Sequence, residues 1–157
     1  MLVILFFAQP VFAQEKRQAK LPDYSKWEME SSGGPVLYRG VWGQGLVDYR
    51  SDRVHDQAVR VYYKPIEQKK FEELLDKIGE EKLLESLRKN PLIALYSYNT
   101  EASGETPIYV FEHKRSPWKF YRLWRPRWKL VYVFNNEEVF NNTFPAWLKN
   151  RYGFIDD

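Results

Sequence analysis

Sixteen consecutive residues, Lys114 to Lys129, combine two side-chain types that commonly bind ligands. The segment reads KRSPWKFYRLWRPRWK and holds seven cations, five aromatic rings and no acid. Lys and Arg attract phosphates, sulfates and carboxylates, while Trp and Tyr stack on bases or sugars or lie at a bilayer interface. We call this segment the basic aromatic stretch. Its composition predicts contact with an anionic partner.

Neighbouring side chains of the basic aromatic stretch would point to opposite sides if the chain is extended. Neither side is then purely apolar, because Arg122 falls between Phe120 and Trp124 on one side, and the other side holds Lys119, Tyr121, Leu123 and Arg125. The residues that we expect to make the contact are Trp118, Lys119, Arg122, Trp124, Arg125 and Arg127. A second interpretation remains open, in which the rings belong to the core and the charges pair with acids elsewhere in the chain.

Residues suited to catalysis are few. The chain has no Cys, two His and no Gly-x-Ser-x-Gly turn, which disfavours nucleophilic catalysis. A glycosidase needs only two carboxylates, which Asp48, Asp52 or Glu112 could supply. His55 has no second His at metal-ligand spacing. We therefore predict neither a metal nor a cofactor and favour a protein without catalytic activity.

Charge is distributed unevenly along the chain. The formal net charge is only +3, but Glu67 to Glu85 contains seven acids and four lysines, while the basic aromatic stretch carries seven positive charges. Electrostatic contacts therefore depend on where these two segments lie in the structure and not on the net charge of the chain.

The first residues, MLVILFFAQPVFAQEK, have the apolar run and small residues of a secretory signal peptide, although no cation precedes the run. We predict a signal peptide at residues 1–13 with cleavage near Ala13, a flexible lead at 14–23 and a single domain at 24–157. The absence of Cys excludes disulfides and a Cys-linked lipid. We expect an exported protein, periplasmic or extracellular, for which nucleic acid is an unlikely partner.

The middle of the chain predicts two short helices. Phe71, Leu74, Leu75 and Ile78 form one helical stripe, whereas Leu83, Leu84 and Leu87 would point the opposite way if the helix continued. We therefore predict helices at Ile66–Ile78 and Glu80–Lys89, separated at Gly79.

Strand patterns flank these helices. A turn is predicted at Ser31–Pro35, and strands are predicted at 36–42, 46–49 and 58–63 before the helices and at 92–98, 108–112 and 128–134 after them. The nearly continuous apolar run at 92–98 predicts a central strand that is buried on both faces. Asn135 and Asn136 would form a turn to a short strand through Val139 and Phe140. A helix is predicted at Ala146–Arg151, ending at Gly153. The fold class is therefore α+β, an antiparallel sheet of about five to seven strands with two consecutive mid-chain helices and a short C-terminal helix.

The order of elements resembles, in outline, the outer-membrane assembly lipoproteins, small envelope proteins in which two helices precede a three-stranded sheet. The likeness rests on KLVYVFNNEEVF, residues 129–140, which reads like their last hairpin. The lipid-bearing Cys and the Gly-Met-Thr entry to their first helix are absent. A shared outline does not transfer function.

These patterns lead to one expectation and one alternative. We expect a small exported envelope binding or assembly protein that contacts a lipid headgroup, an acidic polysaccharide or an acidic protein face through the basic aromatic stretch. The alternative is a carbohydrate-binding or carbohydrate-active domain that uses the same rings. Binding to a neutral glycan would survive high salt, whereas an electrostatic contact would not.

Overall fold

The computed structural model describes residues 19–38, 43–99, 106–114 and 127–153. In these residues six strands and three helices follow one another. The strands are β1 (Glu28–Tyr38), β2 (Gly43–Asp52), β3 (Gln57–Tyr63), β4 (Pro91–Tyr98), β5 (Ile108–His113) and β6 (Trp128–Phe134). The helices are α1 (Gln68–Ile78), α2 (Glu80–Arg88) and α3 (Glu137–Tyr152).

The six strands form one antiparallel sheet in which each strand pairs with its neighbours in the sequence, in the order β1-β2-β3-β4-β5-β6. In the sequence, the helices α1 and α2 come between β3 and β4, and α3 follows β6. The predicted α+β class, with two consecutive mid-chain helices and a C-terminal helix, is therefore confirmed.

Alternation along the strands gives the sheet two apolar faces, each covered by helix. One face and the pair α1–α2 enclose the helix-pair core, which includes Leu46, Val59, Val61, Phe71, Leu83, Leu87 and Phe111. The other face and α3 enclose the α3 core, which consists of Ile93, Leu95, Val110, Phe134, Phe140, Phe144 and Leu148. The domain therefore has three layers, with the sheet in the middle.

The β4 strand contributes to both cores, as its nearly continuous apolar sequence predicted. Ala94 and Tyr96 point into the helix-pair core, and Ile93 and Leu95 point into the α3 core. All four side chains are buried.

The break between α1 and α2 occurs at Gly79, as predicted. Gly79 has φ 80° and ψ 164°, a backbone conformation that essentially only glycine adopts, and its N–H donates to the Leu75 carbonyl at 3.0 Å. The change of direction lets Phe71 of α1 and Leu83 of α2 enter the same core.

The C-terminal region differs from its prediction. Asn136 does not turn the chain into a strand but caps α3, because its side chain accepts a hydrogen bond from the Val139 N–H at 2.8 Å. Val139 and Phe140, predicted as strand, lie in the first turns of α3, so residues 129–140 form a strand and a helix and not a hairpin. The helix ends at Gly153 as predicted, but it begins at Glu137 and not near Ala146, so Pro145 lies in its interior.

The N-terminal region also differs from its prediction. The residues Ser31–Pro35, predicted as a turn, belong to β1, where pairing with β2 is irregular between Met29 and Ser31 and between Gly33 and Val36. The turn-forming residues therefore bend a long edge strand without ending it. Ala19 and Leu21, near the end of the predicted lead, pack against the helix-pair core.

Replacing Gly79 tests the helix break. Gly79→Ala should lower the free energy of unfolding by about 1–3 kcal/mol, because a Cβ is strained at this φ and ψ even though no atom lies within 4 Å of its position. Urea unfolding followed by circular dichroism measures the change. Ser86→Ala on the exposed side of α2 serves as the control and should change stability little. Equal effects of both substitutions would contradict the assigned role of Gly79.

Candidate functional site

The basic aromatic stretch connects β5 to β6, and the structure describes its two ends. Its predicted contact residues Trp118, Lys119, Arg122, Trp124 and Arg125 lie outside the described residues, and Arg127 lies within them. The Lys114 N–H donates to the Arg127 carbonyl at 2.8 Å, which extends the pairing of the two strands by one step. The stretch therefore leaves and rejoins the sheet at a single point.

One ring of the stretch belongs to the core. Trp128 packs against the helix-pair core, and its ring meets that of His113 edge-on, with centroids 4.9 Å apart. This position agrees with the packing interpretation for one of the five rings. Trp128 thereby fixes the start of β6 against this core.

The described cations of the stretch face solvent. Lys114, Arg127 and Lys129 are exposed, and none of the three forms an ion pair with another described residue. Lys129 lies opposite Glu112 in the β5–β6 register, but the Glu112 carboxylate accepts a hydrogen bond from Arg151 at 2.9 Å. The acids of the helix pair therefore do not neutralise these three cations.

A buried ion pair joins the helix pair to the sheet. Asp48 of β2 is fully buried, and both its carboxylate oxygens accept hydrogen bonds from Arg88 in the last turn of α2, at 2.9 Å from Nε and 3.0 Å from the second nitrogen. Such two-point pairing provides the partners that a carboxylate needs away from water. The hydrogen bonding to Asp48, and to a lesser extent its negative charge, raises the pKa of Arg88.

Two tyrosines complete the surroundings of Asp48. Burial, followed by the charge and hydrogen bonding of Asp48, raises the pKa of Tyr63 far above its usual value. Burial also raises the pKa of Tyr24. Both hydroxyls therefore remain protonated at neutral pH. The Asp48–Arg88 ion pair is best understood as a structural contact that holds α2 on the sheet.

The carboxylates proposed for a glycosidase do not meet. Asp48 faces the helix pair and is held by Arg88, whereas Glu112 belongs to the row of β5 that faces α3 and is held by Arg151. Asp52 lies at the end of β2, where its carboxylate contacts His55 Nδ1 at 2.8 Å. Among the described residues no group of three or more His, Cys, Asp and Glu could hold a metal ion.

A groove lies on the α3 side of the sheet, beyond the region that α3 covers. Its floor is a row of small side chains in register across three strands, Ser51 of β2, Ala58 of β3 and Ser97 of β4. Farther along the same row, Ile108 and Phe134 are large and pack with α3. The drop in side-chain size creates the groove.

Two adjoining cavities make up this α3-side groove, and both are lined by Tyr49, Ala58, Ser97 and Thr106. The inner cavity, of about 240 Å³, lies against the start of α3 and is also lined by Arg60, Glu137 and Asn141. The outer cavity, of about 340 Å³, extends to the turn between β2 and β3.

The polar groups of the two cavities differ in their partners. In the outer cavity the Glu30 carboxylate accepts hydrogen bonds from Ser51 and from Arg53 Nε, which lower the pKa of Glu30. In the inner cavity the Arg60 guanidinium lies over the Tyr49 ring, 5.8 Å from its centroid, and forms no ion pair with another described residue. The Arg60 guanidinium therefore has hydrogen-bonding capacity that no described residue uses.

Comparison with known proteins found no match to a protein-family model, to a curated protein or to a solved structure. Within the described part of the chain, no helix has the length and apolar character to cross a bilayer.

Sequence reasoning missed both the Asp48–Arg88 pair and the groove. An acid in the apolar setting of GLVDY is a sequence signal for a buried charge, but the partner lies 40 residues away. The groove depends on Ser51, Ala58 and Ser97 being neighbours in register, which no local pattern reveals.

The ion pair can be tested by a double-mutant cycle. Arg88→Met should lower the free energy of unfolding by about 3–5 kcal/mol, because Asp48 would remain buried without its partner. Adding Asp48→Leu to that variant should recover at least half of the loss, since the unpaired charge is then removed. Urea unfolding measures all four proteins. A loss under about 1 kcal/mol in the single variant would mean that water reaches Asp48.

Tyr63 predicts a loss of stability in alkali. Unfolded tyrosine ionises near pH 10, but the raised pKa of Tyr63 keeps it protonated in the folded state. The folded state thus binds the proton more tightly, so stability is complete below about pH 10 and falls above it. In Tyr63→Phe the loss between about pH 10.5 and 11.5 should be smaller by about 1.4 kcal/mol, measured by urea unfolding. An unchanged pH dependence would contradict this role.

Proposed function

We propose that this protein is an exported, non-catalytic envelope binding or assembly protein that contacts an anionic partner through the basic aromatic stretch. The partner presents a lipid headgroup, an acidic polysaccharide or an acidic protein face. The proposed location is periplasmic or extracellular, after cleavage near Ala13, in keeping with the signal-peptide pattern of residues 1–13.

One observation carries this proposal. The three described cations of the stretch, Lys114, Arg127 and Lys129, are exposed and form no ion pair with another described residue. Had the stretch served only to balance the acids of the chain, its cations would be expected to pair with them. Exposed cations that are grouped at one point and are not paired with a described acid attract an external anion.

The position of the acidic helices supports the same conclusion. The pair α1–α2 packs over β2, through Leu46 and through the Asp48–Arg88 ion pair, whereas the stretch leaves the sheet from β5 and β6. From β2 to β5 there are three strand spacings, about 14 Å. Screening at physiological salt acts over about 8 Å, so acids of the helix pair above β2 weaken the field of Lys114, Arg127 and Lys129 only slightly.

The aromatic content adds a second attraction. Trp and Tyr near the stretch cations suit a lipid–water interface or the face of a sugar ring, while Lys and Arg pair with phosphate or carboxylate. Each basic residue close to an anionic surface contributes about 1 kcal/mol. The stretch, with seven cations, therefore carries enough charge for reversible, salt-sensitive binding.

The test is co-sedimentation of the chain from Gln14 onward with phosphatidylglycerol and phosphatidylcholine vesicles at low and high salt. The chain should sediment with the anionic vesicles at low salt only. Replacing Arg122, Arg125 and Arg127 with Gln should weaken this binding about 100-fold, because three charges contribute about 3 kcal/mol. Thermal unfolding should remain nearly unchanged. A soluble acidic polysaccharide added as competitor shows whether that anion class is preferred to lipid.

A matched variant controls for total charge. Lys69, Lys70 and Lys77 are exposed on α1, so replacing them with Gln removes the same three charges far from the stretch. This control should bind anionic vesicles nearly as well as the unmodified chain. Equal loss in both variants would indicate nonspecific attraction, and a large fall in melting temperature with the Arg replacements would assign those residues to the fold. Either result would reject the proposal.

A further inference from the structure

The α3-side groove contains both hydrogen-bond donors and hydrogen-bond acceptors around an apolar patch. Its inner cavity is lined by donors and acceptors, Arg60, Glu137, Asn141, Ser97 and Thr106, and by the apolar Leu95, Ile108 and Phe140. None of those five polar side chains forms a hydrogen bond or ion pair with another described residue. A ligand that both donates and accepts hydrogen bonds would satisfy them.

Charge in the inner cavity is balanced. Arg60 from β3 and Glu137 from the first turn of α3 line the same cavity and carry opposite charges. The cavity therefore needs no net charge on its ligand. Both side chains are planar groups that can make two hydrogen bonds to a pair of neighbouring hydroxyls.

The aromatic residue of the groove narrows the ligand class further. Tyr49 lines both cavities, with Arg60 placed over its ring. A ring beside a partly apolar floor suits a molecule with one hydrocarbon face and several hydroxyls. The cavity volume, about 240 Å³, is below the range of about 300–1,000 Å³ that holds drug-sized ligands. The ligand is therefore small.

We propose that the α3-side groove binds a small neutral sugar, with Arg60, Glu137 and Asn141 hydrogen-bonding its hydroxyls and Tyr49 and Phe140 contacting its carbon face. The outer cavity contributes fewer contacts to the sugar, because Ser51 and Arg53 already donate hydrogen bonds to the Glu30 carboxylate. This site lies near the start of β5, whereas the basic aromatic stretch leaves from the end of β5. The two surfaces are separate and have different chemistry.

Nuclear magnetic resonance of the ¹⁵N-labelled full chain tests this proposal. The probes are glucose, N-acetylglucosamine, cellobiose and chitobiose, each added at low and at high salt. At least one should shift the backbone amide signals of Ser97, Thr106 and Asn141, and its affinity should be nearly independent of salt because the ligand is uncharged. No shift of these amides with any of the four probes would overturn the proposal.

Two substitutions locate the binding. Ala58→Leu places a large side chain on the groove floor without changing charge and should abolish the shifts. Arg60→Gln should weaken affinity about tenfold or more, since a hydrogen bond to a charged group is lost. If Ala58→Leu fails to fold, Arg60→Gln alone tests whether the sugar binds in this groove. Arg60 is exposed, so its replacement leaves the core intact.

The control carries one basic and one acidic replacement on the other side of the sheet, Lys77→Gln with Glu73→Gln on α1, where both residues are exposed. Its sugar affinity should equal that of the unmodified chain. Sugar-induced shifts that persist in Arg60→Gln with unchanged affinity would place the binding elsewhere and overturn the proposal. Because the stretch residues are untouched, failure here leaves vesicle binding unaffected and the two proposals are judged separately.

Discussion

The carboxylate of Asp48 sets a strict requirement on the arrangement of the helix pair. A fully buried carboxylate is tolerated only with close partners, and Arg88 provides two hydrogen bonds from the last turn of α2. These two hydrogen bonds hold α2 over β2 with a defined direction. The break at Gly79 brings α1 over the same face, where Phe71 and Leu83 meet in one core. The placement of the helical layer thus depends on a buried polar contact as well as on apolar packing.

The two faces of the sheet are covered unequally, and this difference determines which part of the sheet remains open. Two helices cover one face, while α3 alone covers the other and packs on Ile93, Leu95, Val110 and Phe134. A single helix is about 10 Å wide, whereas six strands span about 24 Å, so part of this face must remain open. Where the open part has small side chains, a groove results. At the end of β5, by contrast, the exposed cations Lys114, Arg127 and Lys129 lie close together.

Sequence patterns were sufficient for elements whose signal is local. The opposite phases of Phe71 and Leu83 predicted a break between two helices, and the apolar run of β4 predicted a strand buried on both faces. Asn135 and Asn136 were misread because the same residue type starts turns and caps helices, and only the following turn of α3 distinguishes them. The turn-forming residues of β1 were likewise predicted as a turn, but in the structure they pair with β2 and only make that pairing irregular. The groove and the ion pair depend on residues far apart in sequence, so no local pattern indicates them.

The strand order has a consequence for the folding kinetics of the chain. Every strand pairs with the one before it, so no pairing joins strands that are distant in the strand order, and short connections close at a small entropic cost. The exception is β3 with β4, which must close around the helix pair, and the Lys64 N–H meets the Asn90 carbonyl at 2.8 Å where that closure occurs. Forming α1 and α2 first would shorten the segment to be closed, since a helix rises only about 1.5 Å per residue. Early formation of the helix pair would therefore speed the joining of the two halves of the sheet.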